Sequence, residues 1–206
     1  MKHYLEALRI QRWDDHRFYH HSRINQSLHL LSAVCFVIAY VLLFIDPATA
    51  ALVAWGISMT TRQAGHFFFE PHDYDKVNQV THDHKEEIKV GYNLRRKVVL
   101  MGLWAVAPVV LLLSPSCFGM IQPGEGWSGY LHSLGLVWLA IGVGGLLFRA
   151  VQLIFLKDVM TSVVWVGKIL TDPFHDIMMY WRSPLALMRG EWMDPMLHVR
   201  REHGSS

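Results

Sequence analysis

The sequence predicts an all-α integral membrane bundle, with about four transmembrane helices in two hairpins and C-terminal interfacial helices after them. Three observations lead there. Of 206 residues 52% are hydrophobic and only 17% charged, with a mean hydropathy of +0.22, whereas soluble domains carry about 25% charge. Four apolar runs approach the roughly 20 residues that a spanning helix needs. Lys and Arg avoid the segment 114–130 but crowd the segments before the first run and between the second and third.

The whole chain, 1–206, reads as a single membrane domain, and its parts follow in order. Residues 1–29 form a polar, His-rich segment that lacks the sequence of charged, apolar and cleavage regions of a signal peptide. The first hairpin, 30–61, holds an unbroken apolar run over 30–45, closed by Asp46-Pro47, and a weaker run over 48–59. A second His-rich segment fills 62–97. The second hairpin, 98–148, contains a run over 98–113 with Pro108 as an expected kink and a Gly-rich run over 131–148, a composition that suits close helix packing in lipid. In 149–206 the apolar content of 150–170 is interrupted by Lys157-Asp158 and Lys168, which predicts an amphipathic helix lying at the interface. The tail after Asp172 is punctuated by Pro173, Pro184 and Pro195 and carries Trp181 and Trp192. By the positive-inside rule both termini and 62–97 face the cytoplasm, in the inner membrane of a bacterium or the endoplasmic reticulum membrane of a eukaryote.

Several classes are excluded. The aromatic content and the absence of heptads rule out a disordered chain and a coiled coil. Two cysteines, Cys35 and Cys117, lie in or beside apolar runs and read as reduced, buried thiols. A net charge of +2 is too mild for nucleic acid. The oligomeric state is left open.

Eight of the thirteen histidines fall in two windows: His16, His20, His21 and His29 before the first run, and His66, His72, His82 and His84 after the second. A hairpin between the windows brings both to one membrane face, which predicts a single metal site. If 1–29 continues as a helix into the first span, His21, Asn25 and His29 stack at i, i+4, i+8 on one face, with His16 and His20 one strip over. His66 and Glu70 share an i, i+4 relation before Pro71, and so do His82 and Glu86. Imidazole with carboxylate at the lip of an apolar bundle suits Fe(II), Mn or Zn, and two or three His with one carboxylate and open positions suits non-haem iron oxygen chemistry. His3, His132, His175, His198 and His203 read as headgroup contacts or ordinary hydrogen bonders. Phe67-Phe68-Phe69 reads equally as bundle packing or as the wall of a lipid pocket.

The run from His20-His21 through Asn25 to His29, followed by the hairpin and then Gly65-His66-Phe67-Phe68-Phe69-Glu70, resembles the membrane 2-hydroxy fatty acid dioxygenases of the yeast fatty-acid α-oxidation type. Gly91-Tyr92-Asn93-Leu94-Arg95-Arg96 is similar to that family's entry into its second hairpin. The resemblance covers roughly residues 15–115. It implies Fe(II)-dependent, O₂-consuming removal of one carbon from a 2-hydroxy fatty acid, with His20 or His21, His29, His66 and Glu70 at the metal and Asn25 orienting a ligand or the substrate. After Glu70 the chain departs from the family pattern, and His82 and His84 add candidate ligands. Arg62, Arg95 or Arg96 could hold a substrate carboxylate bidentately, or serve topology alone. The alternatives are a di-iron hydroxylase or desaturase, for which the repeated His-His pairs are missing, and a haem- or metal-binding membrane protein without catalysis.

Overall fold

A computed structural model describes residues 2–70 and 73–197, Leu94 by its backbone alone. His72, His198 and His203 lie outside the described residues. Every regular element described is helical: α1 (Lys2–Tyr19), α2 (Arg23–Leu42), α3 (Pro47–Val53), a π-helical segment (Ala54–Met59), α4 (Thr60–Phe68), α5 (His82–Ile88), α6 (Leu94–Leu113), α7 (Gly126–Leu156), α8 (Val159–Tyr180) and α9 (Ser183–Met188). Three helices, over Arg23–Leu42, Arg95–Leu113 and Gly126–Leu156, are long and apolar enough to cross a membrane.

The N-terminal segment does not run as one helix into the first span. It breaks at His20–Ser22, where Ser22 turns extended and caps α2 by accepting from the Asn25 amide. Two side chains of α2 then satisfy carbonyls released by the break: Asn25 Nδ2 donates to Tyr19 O at 2.8 Å and Gln26 Nε2 to His20 O at 2.8 Å. Ser, Asn and Gln in one short stretch therefore make the break a satisfied structure.

The first hairpin turns at Asp46, whose carboxylate accepts from the Ala48 and Thr49 amides, with Pro47 in the first helical turn where its missing N–H costs nothing. Its second arm continues past the expected end, from α3 through the π-helical segment to the end of α4 at Phe68. Within the π-helical turn Thr60 Oγ1 donates to Trp55 O and Thr61 Oγ1 to Ile57 O, occupying carbonyls that the wider turn leaves poorly paired.

The second hairpin packs on the first through small residues. A Cβ on Gly135 of α7 would sit 2.3 Å from the Ala48 carbonyl oxygen, and one on Gly142 3.0 Å from the Trp55 indole nitrogen. Between them lies a cluster of Ala51, Trp55, Ala107, Leu111, Cys117, Leu134 and Trp138. Pro108 removes the amide that would bond the Trp104 carbonyl, and the Trp138 indole N–H donates to that carbonyl instead at 3.0 Å. The proline is thus absorbed by a partner helix. Both cysteines are free and buried.

Helix α7 has 31 residues, roughly 46 Å at 1.5 Å per residue, so it outruns a hydrocarbon core of about 30 Å and includes residues 150–156 of the stretch expected to be interfacial. Near this end Arg149 donates to the Val90 and Gly91 carbonyls, tying the middle segment down. Lys157-Asp158 is the helix boundary, with Asp158 capping α8 through the Thr161 amide at 2.8 Å. Helix α8 then runs through Pro173 to Tyr180 and packs against α1, α2 and α7. It is amphipathic, as expected, but its polar face turns inward. Lys168, Asp172, Asp176 and Tyr180 are buried, while Val159, Val163, Leu170, Phe174 and Met178 are exposed.

Candidate metal centre

At the end of the first hairpin away from Asp46, the break before α2, the second turn of α2 and the end of α4 meet. Gly65 permits the approach: a Cβ there would lie 2.2 Å from Asn25 Oδ1 and 3.5 Å from His29 Cδ2. Around this contact His20, His29 and His66 each offer a nitrogen, and the three lie within 4.8 Å of one another. The ring centroids are 4.2 Å apart for His20 and His29, 4.9 Å for His29 and His66, and 5.5 Å for His20 and His66. His29 is fully buried, and His20 nearly so.

The break selects the histidine. His20 and His29 are nine residues apart, which on a continuous helix would set them roughly 180° from each other. With the chain redirected at 20–22 their Nε2 atoms face each other at 3.2 Å. His21, which a continuous helix would have stacked with His29, turns away: its Nε2 lies 2.5 Å from Arg17 O and 3.6 Å from Asp75.

The donor set fits a metal ion. Two imidazole nitrogens bound at about 2.0–2.1 Å in tetrahedral geometry lie roughly 3.3 Å apart, close to the 3.2 Å between His20 and His29. His66 Nδ1 is 2.7 Å from Glu70 Oε2, leaving Nε2 as the lone-pair nitrogen. Burial, reinforced by His29, holds the His20 imidazole well below its ordinary pKa, so the ring is neutral and ready to donate a lone pair at neutral pH. Burial also raises the Glu70 carboxyl, against the charges of Lys89 and Lys97.

The remaining sequence candidates occupy other places. Glu70 is bonded to a histidine and stands outside the group of three. Asn25 is buried and braces the break through Tyr19 O, its Oδ1 lying against Gly65. His82 opens α5 half-buried and His84 is exposed, its amide capped by Thr81. They do not join the three because α5 turns a different residue inward. Lys85 binds Asp75 at 2.9 Å and the Phe18 carbonyl at 3.1 Å. Arg95 is exposed on the first turn of α6. Arg62 is engaged with Asp176 at 2.7 Å.

Sequence reasoning missed what α8 contributes. Asp176 Oδ2 lies 3.6 Å from His29 Nδ1. The buried Tyr180 ring stands 5.5 Å from His20 and 6.3 Å from His29, with its hydroxyl 3.1 Å from His16 Nδ1. Burial, with Asp176 and Asp15 nearby, pushes the Tyr180 phenol well above its ordinary pKa. Lys168 bridges Asp15 of α1 and Asp172 of α8, and Arg12 reaches Asp172 at 3.3 Å. Together with Arg62 these groups line a cleft that reaches His20. The signal was present as Lys168, Asp172, Asp176 and Tyr180 at steps of four in a helix rich in apolar residues.

Compared with family models, with curated proteins and with solved structures, the chain shows no match to any of them.

Proposed function

We propose that this chain is a membrane-embedded, Fe(II)-dependent oxygenase of a fatty acyl substrate, and that its reaction is the O₂-dependent shortening of a 2-hydroxy fatty acid by one carbon. The observation that carries the reading is the meeting of His20, His29 and His66, three imidazole donors from both arms of the first hairpin, two of them buried and the third half-buried, at the end of an apolar bundle. Structural groups have no need of such a set, since mutually facing imidazole nitrogens gain little from each other without a shared cation. The choice of a 2-hydroxy acid rests on the resemblance of 15–115 to the α-oxidation dioxygenases.

In this reading the second arm of the first hairpin, α3 to α4, is a fourth span. Both termini and the centre lie on the cytoplasmic side, where Lys and Arg accumulate. Three histidines leave coordination positions open, and iron bound there would supply O₂ activation. The protein's own residues do the rest. Glu70 fixes the His66 ring, Asn25 and Gly65 hold the break against α4, and the acyl chain stays among apolar helices. Among the described residues only one group of three metal-capable side chains occurs, which favours one ion over a di-iron pair.

The test is elemental analysis of detergent-purified protein after anaerobic Fe(II) reconstitution, followed by oxygen uptake on adding a 2-hydroxy fatty acid. The expected result is about one iron per chain and substrate-dependent uptake, with His29→Ala and His66→Ala each losing the metal. Two irons per chain would favour the hydroxylase alternative, and no bound metal would overturn the reading.

A further inference from the structure

We propose that Asp176 of α8, anchored by Arg62, is a positioning residue that orients His29 for metal binding, so that the C-terminal part of the chain is built into the centre. This rests on His20, His29 and His66 being the ligands. The Nε2 atoms of His20 and His29 point at each other across 3.2 Å. For both to offer lone pairs to one ion, each ring must carry its proton on Nδ1. A buried Nδ1–H needs an acceptor, and metal-binding histidines commonly find it in a carboxylate or a carbonyl.

His66 finds that acceptor one turn on in Glu70. His29 has none on its own helix. The Cδ2 edge of its ring faces Gly65 on α4, and in an imidazole Nδ1 lies across the ring from Cδ2. That side carries Asp176, whose Oδ2 is 3.6 Å from a His29 Nδ1 that makes no hydrogen bond. Closing to about 2.8 Å would make a charge-assisted bond, a movement of less than about 1 Å. Arg62 Nη2, 2.7 Å from the same Oδ2, neutralises the buried carboxylate and keeps it from turning in as a ligand.

The experiment uses the full chain in detergent with Zn(II) as a diamagnetic probe. In the zinc-loaded wild type, nitrogen-15 spectra of labelled histidine are expected to show His29 protonated on Nδ1, with a hydrogen-bonded, slowly exchanging proton. An Nε2-protonated or freely exchanging His29 overturns the proposal without needing any variant to fold. Asp176→Asn is expected to weaken zinc binding by about 10–100-fold and to shift the His29 Nδ1 proton. The control Asp172→Asn removes an equally buried carboxylate one turn away that pairs with Lys168 and Arg12 but does not face His29, and it is expected to leave affinity within about twofold. Equal losses in the two variants mean that both act through packing, which overturns the assignment. Zinc binding that survives both His29→Ala and His66→Ala removes the centre itself, whereas binding lost in those variants but intact in Asp176→Asn removes only the role of Asp176.

Discussion

A neutral imidazole buried away from water has two nitrogens to satisfy, and the three histidines of the centre differ in how they do it. His66 has its Nδ1 on Glu70, His29 faces Asp176 across a longer gap, and His20 sits beside Tyr180 with its Nδ1 unpaired. His20 is the candidate ligand held least by a hydrogen bond and most by the backbone break. His20→Ala is therefore expected to lose bound metal, while His21→Ala keeps it and instead loosens the contact with Asp75. Metal content per chain of the two purified variants decides this, and the reverse pattern would mean that the break presents the other ring. His29, His66 and the i, i+4 relation of His66 to Glu70 were legible in the residues, and the structure brings them together, but the choice between His20 and His21 was not. His20-His21 is an adjacent pair, and residue type cannot say which ring turns inward.

Elements were more legible. Apolar runs, Asp46-Pro47, Lys157-Asp158 and the two His windows each mark a feature that the structure contains. Pro108 stands inside α6 as expected inside its run, and Trp138 takes up the carbonyl that it leaves unpaired. A boundary moved at Pro173, read as punctuation but contained within α8 and buried. The segment 1–29 does not continue as one helix into the first span, because Ser22, Asn25 and Gln26 satisfy a break. Packing between hairpins depends on Gly135, where an added Cβ would meet backbone that has no room to yield. Gly135→Ala is expected to destabilise the fold by about 1–3 kcal/mol through overpacking, read as a lower melting temperature in detergent. An unchanged melting temperature would mean that the two hairpins are not held at this contact.

At the scale of the molecule, a polar seam joins α1, α4 and α8 while apolar surface faces outward. Lys168 is the hub of its charged part. Burial works against its charge, but Asp15 and Asp172 outweigh it and raise its pKa above the ordinary 10.5. The stability that it contributes is complete below that value and is lost only as pH rises beyond it. The acid side belongs to the histidines. His20 has a folded pKa held below its ordinary 6.5 by burial, so below 6.5 the unfolded chain takes up a proton that the folded chain refuses. Stability is therefore expected to fall as pH drops from about 7.5 to about 5.5, while the folded chain keeps its metal over that range and releases it only at lower pH, where protons at last reach the same nitrogens. Melting temperature across that range tests this. A melting temperature that did not fall toward the acid end would mean that the His20 ring does not refuse the proton.

The sequence by itself determined that the chain is helical and rich in apolar spans, where the first hairpin turns, and that two groups of histidines are carried toward one end of it. Hydropathy, capping and chain reversal depend on neighbours within a few residues, so they can be read locally. Only the tertiary structure decided that His20 is chosen over His21, that Glu70 serves His66, that Lys85 and not His84 faces inward from α5, and that Asp176 stands behind His29. Those outcomes depend on the direction in which the chain leaves a broken helix and on which face α8 turns toward α2. Both are set by packing among segments far apart in sequence, where no local pattern reports the sum.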